Sequence, residues 1–189
     1  KLGNSPVVGY IGSLRELEGV DATADAVAIL RNQGVDVKLF VLSSETGQSE
    51  LLAHCERLGI GEHAHVTGPV PHNQVAPFYE LIDVFVVSRP DTRVTRLVTP
   101  LKPFEAMRSG RALAMSDLPA LAEIVEDGKT GRLYVAGDTA ALANVVGDLL
   151  TNEEIRIQLG SAAREWIEEN RTWDHVVSQI PELYRVLLK

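Results

Sequence analysis

The run Asp83-Val-Phe-Val-Val87 constrains the fold most, because four consecutive apolar, mostly β-branched residues closed by Ser88 suit a strand buried on both faces. Val7-Val-Gly-Tyr-Ile11, Val37-Lys-Leu-Phe-Val-Leu42, Ala64-His-Val-Thr67, Ala112-Leu-Ala-Met115 and Arg132-Leu-Tyr-Val135 read as further strands. Between them the spacing predicts helices from Ala22 to Asn32, Ser49 to Leu58, His72 to Leu81 in spite of Pro77, Pro100 to Arg108 and Pro119 to Val125. The stretch Ser88 to Val98 reads as irregular. Three helices close the chain, roughly Thr139 to Leu150, Glu153 to Asn170 and Trp173 to Leu188, with Pro181 bending or restarting the last. Apolar strands alternating with helices imply an α/β fold: a doubly wound parallel sheet with helices on both faces and a helical carboxy-terminal tail.

The 189 residues suit one domain, or one domain with an appendage. With 45% hydrophobic and 23% charged residues the chain can bury a substantial core. A formal net charge of −8 argues against a general nucleic-acid binder, which needs a basic surface, so any site for a polyanion must be local. The single cysteine, Cys55, rules out an internal disulfide and a cysteine-based zinc site, which fits a reducing compartment. No apolar run is long enough to span a bilayer and no signal peptide is evident. The expected location is cytoplasmic, with membrane association of a longer protein left open. The start, Lys1-Leu-Gly-Asn-Ser-Pro6, leads into a strand at once and reads as a cut between domains.

In open α/β sheets ligands bind beyond the carboxyl ends of the strands, which directs attention to the loops after residues 11, 42, 67, 87 and 115. The first, Gly12-Ser-Leu-Arg-Glu-Leu-Glu-Gly19, lacks a dinucleotide fingerprint, and no Walker lysine motif occurs. The loop Ser88 to Arg96 carries Arg89, Arg93 and Arg96, a basic cluster that is either a solvated surface or a phosphate contact. Next comes Thr99-Pro-Leu-Lys-Pro-Phe-Glu-Ala-Met107, where Thr99 is a permitted N-cap and either proline suits a first helical position. Free amides at such a start attract phosphate, and Lys102 adds a full positive charge. Glu105, three positions on, can face the same ligand and take sugar hydroxyls; the plainer alternative is a Lys-Glu surface pair. The five histidines show no spacing for a triad or a metal, and His65 reads as a packed or edge residue. Apolar residues of the tail, among them Ile155, Ile157, Leu159, Trp166, Ile167, Trp173, Val176, Val177, Ile180, Leu183, Tyr184 and Leu187, read chiefly as core.

The order Gly9-Tyr-Ile-Gly-Ser13, Glu18-Gly19, Val66-Thr-Gly68, Tyr79, Asp83-Val-Phe-Val-Val-Ser88, Pro100-Leu-Lys-Pro-Phe-Glu-Ala-Met107, Gly110, Glu123-Ile-Val-Glu-Asp-Gly-Lys-Thr-Gly131 and Trp173 resembles the carboxy-terminal half of family 4 glycosyltransferases, the group 1 enzymes of GT-B architecture. The resemblance covers nearly the whole chain. It implies retaining, metal-independent transfer of a sugar from a nucleotide diphosphate sugar, between two Rossmann-like domains, with no cofactor. Residues 1–170 would form the donor-binding domain, and the helix at 171–189 would cross to a missing amino-terminal acceptor-binding domain. Without that domain, self-association or a displaced helix is expected. The resemblance assigns Glu105 to the ribose and the backbone donors of the loop and helix start before it to the diphosphate. Gly12, Ser13, Thr99 and Leu101 lie along the same approach, while Thr67 and Gly68 match the region that reads the base through the backbone. Glu123 either borders the donor or caps the Gly128 loop.

Departures from that pattern bear on activity. Leu97, eight positions before Glu105, replaces the first glutamate of the usual pair. Ser13 and Glu18 stand where the first loop commonly has Arg and Lys. The diphosphate charge would then fall on Lys102 and the loop arginines; the alternative is a non-catalytic nucleotide-binding or interaction module on the same fold. A nucleotide-sugar epimerase of related architecture would need cleft carboxylates and a histidine that the sequence does not place.

Overall fold

The computed structural model describes residues 3–178 and 180–188. Among them, β1 (Val7–Ile11), β2 (Lys38–Leu42), β3 (Ala64–Thr67), β4 (Val84–Val87), β5 (Ala112–Ser116) and β6 (Arg132–Tyr134) form one sheet in the order β3-β2-β1-β4-β5-β6. Every pairing is parallel, with Val8 opposite both Leu39 and Val84. The chain thus winds outward from β1 in both directions, and the order reverses between β1 and β4, the switch point at whose carboxyl end open sheets of this kind bind ligands. All residues of β1, β4 and β5 are buried, as their unbroken apolar runs require.

The helices are α1 (Val20–Asn32), α2 (Gln48–Arg57), α3 (Ala76–Tyr79), α4 (Arg93–Leu97), α5 (Lys102–Arg108), α6 (Pro119–Ala122), α7 (Thr139–Thr151), α8 (Glu153–Asn170), α9 (Trp173–Ser178) and α10 (Ile180–Leu187). Right-handed crossovers put α1 and α2 on one face, where α7 also packs against α1, and α5 on the other. There α5 packs on α8, whose Gly160 lies so close to the Gly110 carbonyl that an added Cβ would sit 2.2 Å from its oxygen. Phe85, Leu113, Met115, Leu121, Leu142 and Leu149 are almost fully enclosed, each burial stabilising by about 1.5–3 kcal/mol.

Four expectations need correction. The segment His72 to Leu81 is not one helix: a short 3-10 turn at His72–Gln74 precedes the four-residue α3, because Pro77 has no amide to continue a ladder and fits only the first turn. The stretch after Ser88 contains α4, started by Thr92, whose hydroxyl accepts from the Thr95 amide at 3.3 Å while the Thr95 hydroxyl accepts from the Thr92 amide at 2.9 Å. Thr99 does not cap α5. Pro103 occupies the second helical position, Leu101 becomes the N-cap without a side-chain bond, and Thr99 stands two residues too early to reach the open amides. In the tail, Leu149, Leu159 and Ile167 are buried, but Ile155, Ile157, Trp173, Val177, Ile180, Tyr184 and Leu187 are exposed, Trp173 at 83%. Among the described residues nothing packs over that face; the side chains of Val176 and Leu183, and residues Lys1 and Leu2, lie outside the described ones.

Candidate functional site

The loop after β1 is tied to the loop after β4. The Gly12 amide donates to the Leu42 carbonyl at 3.0 Å, and a Cβ at Gly12 would meet the Tyr10 hydroxyl at 2.5 Å. That hydroxyl donates to the Ser13 carbonyl at 3.3 Å; burial, then the Glu18 charge, pushes the Tyr10 phenol up and keeps it protonated. Gly19 adopts φ +64°, and a Cβ there would lie 2.0 Å from the Ser88 carbonyl oxygen, so glycine alone fits. The Ser88 hydroxyl donates to the Gly19 carbonyl at 2.7 Å and lies 2.7 Å from the Thr23 hydroxyl. Beside it Arg89 forks onto Glu18 with bonds of 3.0 and 2.9 Å and donates to the Val98 carbonyl at 3.0 Å.

Arg89 is one of the cations expected at the diphosphate, and here Glu18 holds it. Its guanidinium turns inward, and the ion pair has side-chain exposures of 6% and 13%. Glu18, standing where a lysine is usual, finds its counter-charge here. Of the other two arginines, Arg96 forks onto Asp91 at 2.5 and 2.9 Å and holds that carboxyl below the usual range. Arg93 makes no side-chain hydrogen bond or ion pair among the described residues. Arg93 and Arg96 line a surface depression of about 440 Å³ with Asp91, Thr92 and Leu97.

The start of α5 lies at the carboxyl rim, because the loop from β4 delivers it there. Lys102 Nζ is 3.5 Å from Glu105 Oε1, with both side chains about one-third exposed, at 37% and 33%. The Phe104 amide bonds the Leu101 carbonyl at 3.2 Å, whereas the amides of Leu101 and Lys102 have no acceptor among the described residues. With seven residues, α5 contributes a modest dipole, so the ammonium is the principal local positive charge. The opposite oxygen of Glu105, Oε2, accepts from the Tyr79 hydroxyl at 2.8 Å. Glu105 also borders a second depression of about 370 Å³ shared with Phe104, Arg108, Arg171 and Trp173. The structure therefore joins Lys102 to Glu105 but leaves Arg93 and Arg96 in a separate hollow.

At the end of β3 the Thr67 carbonyl accepts from the Ser43 amide at 2.9 Å, and Gly68 has φ +110° with space for a Cβ denied by the Ser43 carbonyl at 2.2 Å. Glu123 is exposed beyond α6 and does not cap the Gly128 loop. Asp127 does so instead, accepting from the Leu133 amide at 2.8 Å, while Thr130 accepts from the Glu126 amide at 2.9 Å.

Sequence reasoning passes over three residues at this rim. Gln48 donates to the carbonyls of Ser44 at 3.1 Å and Thr67 at 3.3 Å, clamping two strand ends, a long-range role with no local signal. Arg15 stands exposed in the first loop beside Thr46 and Gly47, two positions after the one where a cation is usual. Tyr79 appears in the motif order but carries no sign of its partner. Among the described residues no group of three His, Cys, Asp or Glu side chains could hold a metal.

Residues 5–152 match the model of the family described as Glycosyl transferases group 1. The chain belongs to this family. As a group 1 glycosyltransferase chain it is 26% identical to the D-inositol 3-phosphate glycosyltransferase of Corynebacterium urealyticum, over 97% of this chain and 44% of that protein. It is 28% identical to the GDP-mannose-dependent alpha-(1-6)-phosphatidylinositol monomannoside mannosyltransferase of Mycolicibacterium smegmatis, over 96% of this chain and 48% of the relative. Its fold matches the C-terminal domain of a group 1 family protein from Francisella tularensis, with TM-score 0.76 and 17% identity over 89% of this chain and 87% of that one. HepE of Anabaena, solved in complex with UDP-glucose, gives TM-score 0.83 and 20% identity over 98% of this chain and 50% of that protein. The group 1 chain thus spans about half the length of the curated relatives it matches and has the size of one of their domains. No helix among the described residues is long and apolar enough to cross a membrane.

Proposed function

We propose that the chain is the nucleotide-sugar-binding half of a glycosyltransferase whose acceptor is held by an amino-terminal domain outside this sequence. The observation that carries this reading is Lys102 and Glu105, 3.5 Å apart at the carboxyl rim beside two open amides. Lys102 and those amides take the diphosphate, and Arg93 and Arg96 reach it by swinging out of the hollow on α4, Arg96 exchanging Asp91 for phosphate. Glu105 takes the ribose hydroxyls. The Gly12-Ser13 loop flanks the diphosphate, Thr67 and Gly68 face the base through main chain, and Thr99, Leu101 and Glu123 border the same cleft. The sugar's anomeric carbon loses its bond to the diphosphate oxygen, and the cations stabilise the charge that develops there. Transfer on the face from which the diphosphate leaves retains configuration. Side-chain cations supply the charge compensation that a divalent ion supplies elsewhere. The UDP-glucose held by HepE and the GDP-mannose named for the mycobacterial relative support a nucleoside diphosphate sugar as ligand class. The exposed face of α9 and α10 is assigned to the missing domain, residues 1–170 being the donor-binding unit; without it, self-association or a displaced helix is expected.

Calorimetric titration of this chain with UDP, GDP and ADP tests the reading. One of the three is expected to bind, unaltered by EDTA, with Lys102→Ala weakening it about tenfold to a hundredfold, the worth of a charge-assisted hydrogen bond. Equal affinity in wild type, Lys102→Ala and Glu105→Ala would overturn the site. A non-catalytic nucleotide-binding module draws on one observation: Leu97, 72% exposed, presents no carboxylate where the family pattern has one. Absence of sugar transfer by the two-domain protein, with nucleotide binding intact, would decide for that module.

A further inference from the structure

We propose that Tyr79 is a positioning residue for the nucleotide's ribose, its phenol fixing the Glu105 carboxylate so that the lone pairs left over meet a vicinal diol. The inference rests on the reading of Glu105 given above. An ionised carboxylate only accepts, and its two oxygens offer about four lone-pair sites. Tyr79 occupies one on Oε2 at 2.8 Å, and Lys102 lies 3.5 Å from Oε1. Roughly two sites remain, the number that the 2′- and 3′-hydroxyls of a ribose require.

The two partners of Glu105 differ in what they do when ligand arrives. Lys102 is a flexible, partly exposed ammonium, and a diphosphate at the helix start draws it away from the carboxylate. Glu105, one-third exposed on a surface helix, would then be free to change rotamer. Tyr79 cannot follow the phosphate. It is 2% exposed, its ring centroid is 5.6 Å from that of Phe85, and Phe85 is wholly enclosed in β4 and stacked on Tyr10 at 6.1 Å. Burial first, and the nearby Glu105 charge second, push the Tyr79 phenol up, so it remains a donor across the neutral range. A buried phenol needs an acceptor for its single donor, and here that acceptor is the one-third-exposed carboxylate of Glu105, 26 positions away.

The test is Tyr79→Phe, titrated in this chain with UDP, GDP and ADP and with their 2′-deoxy counterparts. Wild type is expected to prefer the ribonucleotide. Tyr79→Phe should lose about tenfold in affinity for the ribonucleotide and little for the deoxy form, so that the ratio contracts. Glu105→Ala should abolish the ratio, and adding Tyr79→Phe to it should change nothing further, as two groups acting through one contact require. Urea unfolding checks that Tyr79→Phe retains its fold. Equal weakening of both nucleotide forms, or an unchanged ratio in a wild type that discriminates through Glu105, overturns the role of Tyr79 and leaves the donor site standing. Wild type that binds none of the six nucleotides overturns the donor site and this inference together.

Discussion

Glu18 and Arg89 carry opposite charges into nearly closed space, and their fork closes the first loop against the fourth strand's exit. Removing one partner strands the other, which costs about 3–5 kcal/mol, whereas replacing both by apolar residues removes the desolvation penalty as well. Arg89→Ala is therefore expected to lower unfolding free energy by about 3 kcal/mol or more in urea titration, and Glu18→Leu with Arg89→Leu to recover most of that loss. A cost for Arg89→Ala below about 1 kcal/mol, the range of an exposed pair, would contradict the burial of this bridge. Nothing in the sequence pairs these residues: 71 positions separate them, and an arginine in a polar loop reads as solvated. Lys102 and Glu105 are legible because they sit three apart on one helix, where spacing alone brings side chains together. Tyr79 is not, since its bond to Glu105 joins residues 26 positions apart on different elements.

The strands follow from apolar runs with few alternatives, and β1 and β4 form within one residue of the expected limits. Short helices are harder to read, because four or five residues span little more than one period. Pro77 hides where α3 starts. In α4 the residue that completes the capping box is Thr95 instead of the usual Glu or Gln, and a cluster of hydroxyls and arginines resembles a plain loop. The cap has a measurable consequence. Thr92→Ala removes the acceptor for the Thr95 amide and should cost about 1 kcal/mol in chemical unfolding. The same change should loosen Arg93 and Arg96, which α4 holds at the rim, and weaken nucleoside diphosphate binding less than Lys102→Ala does. A Thr92→Ala protein that loses more affinity than Lys102→Ala would shift the main diphosphate contact from α5 to α4.

Across the molecule, one parallel sheet gathers residues from every second of the chain's connections along a single edge. Its reversed strand order between β1 and β4 sets Gly12 and Ser13 beside the β4 exit that leads to Lys102, while Thr67 and Gly68 lie along the same rim at β3. The amino edge holds another charged hollow, with Arg111, Arg156 and Arg164 beside Asp83 and Glu153, and it supplies an internal control. Amide chemical-shift mapping of the chain with whichever of UDP, GDP or ADP binds separates the two edges directly. Shifts concentrated at Leu101, Lys102 and Glu105, extending to Gly12, Ser13, Thr67 and Gly68, are expected. Shifts centred instead on Arg111, Arg156 and Arg164, with the amides of Leu101 and Lys102 unmoved, would contradict the claim that the carboxyl rim holds the donor diphosphate.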